Sequence, residues 1–181
     1  MTGRGNKMIK SLLVSTLILF SATIIEASIL SNISFLLVVP DLVLICCIYF
    51  SLLNGKLYGE VSGFISGIFL DFITGVPFGL NCVFRTIMGY LFGLFSVTII
   101  ISGIVIPMAS VAIGTLSKKL LIFFISLLFP KLSLNIYSII SYQFLFEISA
   151  NVLLAPVIFK FLSFFKTQLS IKDTKDMIDN G

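Results

Sequence analysis

Long runs of apolar residues dominate the chain, and short polar or glycine-containing stretches separate them. About twenty apolar residues cross a bilayer once. The runs are continuous and do not alternate between apolar and polar positions, which favours helices over barrel strands. The pattern predicts an all-α, polytopic membrane protein with about six transmembrane helices. These cover approximately residues 9–29, 33–53, 58–73, 80–97, 104–129 and 134–165.

The last two runs contain interruptions. Lys118 and Lys119 lie inside the fifth run, but dividing the run there leaves pieces of only about 16–20 Å, too short to cross. We therefore expect one long, tilted helix that contains both lysines. The sixth run is expected to be kinked or broken near Pro156, because proline removes a main-chain hydrogen-bond donor.

The composition agrees with a membrane protein. Of the 181 residues, 58% are hydrophobic and only 11% are charged, and the mean hydropathy is +1.16. Soluble domains carry about 25% charged residues, so a soluble fold, a disordered chain and a soluble nucleic-acid binder are disfavoured. We expect one membrane domain over residues 1–166 and a polar cytoplasmic tail over 167–181. The tail is interpreted as loose, with a short partner-binding helix as the alternative.

Basic residues flank the first and the last apolar runs. They are Arg4, Lys7 and Lys10 before the first run, and Lys160, Lys166, Lys172 and Lys175 at or after the last. Because such flanks tend to stay in the cytoplasm, both termini are predicted to be cytoplasmic, which requires an even number of crossings. A cleaved signal peptide is the rival interpretation of the first run, but signal cores are usually shorter.

Several charged residues fall inside or at the edges of the apolar runs, where each costs roughly 2.5–3.5 kcal/mol on insertion scales. They are Glu26, Asp41, Asp71, Arg85, Lys118, Lys119 and Glu147. We expect a polar cluster in the outer half of the membrane, in which Arg85 neutralises Asp41 or Asp71. We also expect Glu147 to pair with Lys118 or Lys119. Glu26 is either a member of the cluster or interfacial and solvated.

Glycine recurs every four residues from the turn before the third segment through that segment, and again in the fourth segment. The positions are Gly55, Gly59, Gly63 and Gly67 in the first set, and Gly89 and Gly93 in the second. This spacing places small residues on one helix face, where two backbones can approach closely. Two interpretations stay open: the third and fourth helices pack together, or a glycine face receives a helix of another protein.

The sequence lacks the usual signatures of catalysis and of metal binding. It contains no histidine, and Cys46, Cys47 and Cys82 are not spaced as metal ligands. A G-x-S-x-G elbow and a P-loop are also absent. We therefore predict no enzyme activity, no cofactor, no metal site and no nucleic-acid partner. Membrane lipid is the expected surrounding.

Five motifs, taken in order, resemble those of the rod shape-determining protein MreD family. They read V-P-D-L, G-F-I-S-G-I-F-L-D, G-V-P-F-G-L, G-Y-L-F-G and N-V-L-L-A-P, and they span roughly residues 9–165 with their flanks. The motif residues include Pro40, Gly75, Pro77, Gly79, Tyr90, Asn151 and Pro156. The chain departs from the family at Lys118 and Lys119, where members more often have apolar residues or a carboxylate.

The resemblance implies a non-enzymatic scaffold in the bacterial inner membrane, within the elongation complex that directs peptidoglycan synthesis and cell shape. The implied partners are MreC, the actin-like MreB, RodA and a class B penicillin-binding protein. The implied fold is similar to the S component of energy-coupling-factor transporters. A substrate-binding S component is therefore the alternative, although the Ala-x-x-x-Ala pair often seen there is missing. An orphan packing subunit of another complex is a third possibility.

Overall fold

The computed structural model describes residues 2–29, 38–75, 78–96, 101, 103–128 and 141–171, and most of these residues are helical. The helices are α1 Thr2–Ile24 with a π-helical turn Ile25–Ile29, α2 Leu42–Asn54, α3 Lys56–Thr74, α4 Leu80–Leu94, α5 Val105–Leu128, α6 Tyr142–Ser163 and α7 Lys166–Leu169. No strand occurs within these described ranges. The prediction of an all-α fold is confirmed.

Four of the helices are long and apolar enough to cross a membrane. They are α1, α3, α5 and α6. Helices α2 and α4 are apolar but shorter, with 13 and 15 residues. At 1.5 Å per residue they reach about 20 and 23 Å. The chain is therefore a polytopic membrane protein, while the count of six crossings stays a prediction.

Helix α2 begins later than the second apolar run does. Residues 38–41 are not helical, and the Asp41 carboxylate accepts a hydrogen bond from the main-chain N of Leu44 at 2.8 Å, which caps the helix. Pro40 precedes this cap and disfavours the helical conformation for the residue before it. The expected start near residue 33 lies outside the described residues.

Helices α5 and α6 are both continuous. Lys118 and Lys119 lie inside α5, which confirms the prediction of one long helix. Helix α6 runs through Pro156 without a break. Of the two predicted alternatives the break is therefore wrong, while a kink near Pro156 stays a prediction. Membrane helices tolerate proline where neighbouring groups satisfy the freed main-chain atoms. The expected start of this segment at residue 134 also lies outside the described residues.

Helices α3 and α4 pack against each other through their glycines. A Cβ added at any of five glycines would lie closer to main-chain atoms of the other helix than real Cβ atoms come. Gly59 and Gly89 face each other, Gly63 faces Arg85, Gly67 faces Cys82, and Gly93 faces Lys56. The glycine faces therefore serve packing within the chain. They leave no room for a helix of another protein at these positions.

Helix α2 lies at the centre of the bundle. All of its residues after Leu42 are buried, from Val43 to Asn54. A helix that is apolar all round belongs in the interior of a protein, and α2 contacts α1, α3, α4, α5 and α6. The thiols of Cys46 and Cys47 on α2, and of Cys82 on α4, are free and buried.

The chain after α6 folds back onto the bundle. Leu169 is fully buried, and its carbonyl accepts hydrogen bonds from Asn54 Nδ2, at 2.9 Å, and from the Ser11 hydroxyl. The main-chain N of Ile171 donates to Asn54 Oδ1 at 2.9 Å. Residues 169–171 therefore pack against the bundle, whereas Thr167 and Gln168 are exposed on the short helix α7. The predicted division of the chain after residue 166 stays a prediction. Residues 172–181 lie outside the described residues.

Candidate functional site

Four charged side chains on four helices form a chain of ion pairs, which we call the ion network: Asp41, Arg85, Lys118 and Glu147. Asp41, at the start of α2, accepts from Arg85 Nη2 through Oδ1 and from Lys118 Nζ through Oδ2, each at 2.7 Å. Lys118 Nζ also donates to Glu147 Oε1 at 3.1 Å. Of the pairings considered from the sequence, the structure contains Arg85 with Asp41 and Lys118 with Glu147. The network joins α2, α4, α5 and α6.

Asn151 on α6 holds the main chain at the centre of the network. Its Oδ1 accepts from the main-chain N of Asp41 at 2.8 Å, and its Nδ2 donates to Thr115 Oγ1 on α5 at 3.1 Å. Asn151 is completely buried. The sequence singled out Asn151 only as part of a family motif. The structure shows that it ties α6 to both α2 and α5.

The centre of the network is withdrawn from solvent. The side chains of Arg85 and Asp41 are 2% and 3% exposed, whereas that of Lys118 is 23% exposed. Within the described part of the chain, Arg85 Nε and Nη1 are buried and have no hydrogen-bond acceptor. A buried charge is costly unless it is paired. Asp41 therefore offsets much of the free energy cost of burying the Arg85 charge.

Two further charged residues border the network. Glu26, in the π-helical turn after α1, accepts from the main-chain N of Val43 at 3.2 Å. This N–H is at the amino end of α2, where the helix dipole favours negative charge. Lys119 is buried, and its Nζ lies 5.6 Å from the ring centre of Phe144. The region thus combines three acidic residues with three basic ones: Glu26, Asp41, Glu147, Arg85, Lys118 and Lys119.

Asp71 is not part of the ion network and instead bonds to the start of α4. Its carboxylate accepts hydrogen bonds from the main-chain N of Gly79 at 2.9 Å, of Asn81 at 3.0 Å and of Cys82 at 3.3 Å, and from Asn81 Nδ2 at 2.9 Å. The first N–H groups of a helix have no partner within that helix. Asp71 on α3 therefore caps α4, while the other expected partner of Arg85, Asp41, forms the ion pair.

The remaining family-motif residues lie around these two features. Gly75 and Gly79 flank the turn between α3 and α4 with φ values of 65° and 98°, a left-handed conformation that glycine adopts without strain. Pro77 lies outside the described residues. Pro40 is buried just before the Asp41 cap, and Tyr90 is on the exposed side of α4.

Sequence reasoning missed a second polar cluster, at the other end of α2. The Tyr58 hydroxyl hydrogen-bonds with the hydroxyls of Ser11, at 2.8 Å, and Ser15, at 2.9 Å. Asn54 completes this cluster through its bonds to the chain after α6. The spacing of Ser11 and Ser15 was the available signal, because residues four apart lie on one helix face.

The ion network is suited to holding helices together, since each of its carboxylates is neutralised by a neighbouring cation. Among the described residues, no group of three or more His, Cys, Asp or Glu side chains could hold a metal ion. Ionisable residues at membrane depth usually face the protein interior and pair with one another. The fold and this site together define a polytopic helical membrane protein whose helices are joined by buried ion pairs.

Comparison with known proteins identifies the family. The family model of the rod shape-determining protein MreD matches residues 7–165. The chain belongs to this family and is therefore a bacterial inner-membrane protein with a role in rod-shape determination. No curated protein and no solved structure matches the chain significantly.

Proposed function

We propose that the chain is a non-enzymatic scaffold subunit of the elongation complex, which links MreC to the peptidoglycan synthases in the inner membrane and so controls cell shape. The family match carries this proposal, because it covers most of α1 and all of α2 to α6. RodA, a class B penicillin-binding protein and MreB are the further partners that we propose.

The use of polar groups inside the bundle supports a scaffold. The ion network joins four helices, and Asp71 joins α3 to the start of α4. Side chains engaged in this way hold the helices in a fixed arrangement. A scaffold needs such an arrangement, because its partners must find their docking faces in constant positions.

The outward faces of the long helices are apolar and suit partner helices or lipid. On α1, Leu13 and Leu17 are 61% and 66% exposed. On α6, Leu153 and Val157 are 68% and 63% exposed. Each pair is four residues apart and therefore lies on a single helix face. These two faces are candidates for the docking of MreC and of the synthases.

A pull-down from native membranes tests the proposal. The tagged full chain is extracted in a mild detergent, and the proteins that accompany it are identified by mass spectrometry. Another multi-pass inner-membrane protein with the same tag serves as the control. We expect enrichment of MreC, with or without RodA and its transpeptidase. Recovery of a transporter core with its ATPases instead would overturn the proposal in favour of an S component.

Two matched triple variants map the docking face. One changes Leu13, Leu17 and Phe20 of α1 to alanine, and the other changes Leu153, Val157 and Phe161 of α6 to alanine. All six side chains are exposed, so both variants should keep their helix content. Loss of MreC from only one variant would assign the docking face. Normal rods in cells that carry only this MreC-deficient variant would contradict the proposed link to cell shape.

A further inference from the structure

Five of the described lysines lie at one end of the bundle. Lys7 and Lys10 lie near the start of α1, Lys56 begins α3, and Lys160 and Lys166 lie in the last turns of α6 and in α7. These segments meet at one end, because the chain after α6 bonds to Ser11 and Asn54. We call this the basic end. Such an end normally faces the cytoplasm.

A groove opens at the basic end, between the start of α5 and the last turns of α6. Its volume is about 320 Å³, at the lower limit of the range typical of small-ligand sites. The walls include Ile104, Pro107, Pro156 and Phe159, and the polar side chains are Lys160 and Ser163. The Ser163 hydroxyl donates to the Lys160 carbonyl at 2.6 Å. Lys160 is the one charged residue among the described residues that line the groove.

We propose that this groove binds one anionic phospholipid of the inner leaflet, with its phosphate at Lys160 and an acyl chain along the apolar wall. Charge complementarity and the composition of the wall carry the assignment. Basic pockets between membrane helices on the cytoplasmic side take anionic lipid head groups. A soluble phosphate would satisfy Lys160 but would leave the proline and phenylalanine wall uncovered. The proposal does not depend on the scaffold function.

Lipid retention in nanodiscs tests the site. The full chain is reconstituted in phosphatidylcholine with a small fraction of fluorescent phosphatidylglycerol, and binding is measured by energy transfer from a dye on the protein. Lys160→Gln removes the charge, and Ser163→Phe fills the groove. Lys166→Gln is the matched control, because it removes the same charge from the same end outside the groove. Circular dichroism checks that each variant is folded.

We expect Lys160→Gln to weaken phosphatidylglycerol binding about fivefold, the effect of one lysine near an anionic surface. Ser163→Phe should weaken it at least as much, and Lys166→Gln should bind like the wild type. Soluble glycerol phosphate should not displace the lipid. Unchanged binding in Lys160→Gln or in Ser163→Phe, equal losses in both lysine variants, or displacement by glycerol phosphate would each overturn the site.

Discussion

Replacing Asp41 with asparagine perturbs the ion network at its centre while changing the shape of the side chain very little. The amide oxygen of the variant can still cap α2 at Leu44, but the charge that faces Arg85 and Lys118 is lost. Lys118 keeps Glu147 as a partner at 3.1 Å. The same amide oxygen can still accept from Arg85 Nη2, but Arg85 has no other acceptor among the described residues. This arginine therefore becomes a buried cation without an ion-pair partner.

The size of the effect follows from these contacts. Removing one partner of a buried ion pair costs about 3–5 kcal/mol, because the other charge stays buried. Since Lys118 retains Glu147, we expect the lower end of this range for Asp41→Asn, about 3 kcal/mol in the free energy of unfolding. The measurement is unfolding by sodium dodecyl sulfate in mixed micelles, followed by circular dichroism.

Two further variants decide whether the ion network is the cause. Glu60→Gln is the matched control, because it removes a carboxylate charge at the basic end and should change stability by less than about 0.5 kcal/mol. Asp41→Asn combined with Arg85→Met removes the unpaired cation as well. The free energy of unfolding of the double variant should therefore exceed that of Asp41→Asn alone by at least about 1 kcal/mol. If Asp41→Asn loses no more stability than Glu60→Gln, the reasoning is refuted.

Three other substitutions test separate parts of the structure. Gly63→Ala should cost about 1–3 kcal/mol, because its Cβ would collide with the main chain of α4 and force the helices apart. Glu147→Gln should cost about 1 kcal/mol, less than Asp41→Asn, because Lys118 keeps its bond to Asp41. Both are measured by the same unfolding titration. Asn54→Ala should cost about 1–3 kcal/mol and should speed tryptic cleavage after Lys166, because two hydrogen bonds that hold the returning chain are lost.

Each of these three has its own check. Gly5→Ala, where an added Cβ meets nothing within 4 Å, should not destabilise the protein. An equal tolerance of alanine at positions 5 and 63 would contradict the close packing of α3 and α4. Full stability of Glu147→Gln would remove that residue from the network. Gln168→Ala, on the exposed side of α7, should leave the rate of tryptic cleavage as in the wild type. If Asn54→Ala is cleaved no faster than Gln168→Ala, the proposed role of Asn54 is excluded.

Some features followed directly from short stretches of the chain. Continuous apolar runs indicated membrane helices, and the length that a crossing requires indicated one α5 with Lys118 and Lys119 inside it. The glycine spacing located a close-packed face, and the high cost of charges at membrane depth indicated that they would pair. These inferences depend only on helix geometry and on the transfer of groups from water to lipid.

The choice of partners depended on how the helices are placed and rotated in the bundle. Asp41 and Asp71 were equivalent candidates for Arg85, yet Asp71 caps α4 and Asp41 pairs with Arg85. The glycine spacing was equally compatible with a helix of another protein, whereas in the structure the glycines of α3 and α4 pack against each other. The docking of Leu169 under Asn54 joins residues 115 positions apart. Local patterns report the period and polarity of each helix, but contacts between distant helices arise only when the whole bundle packs.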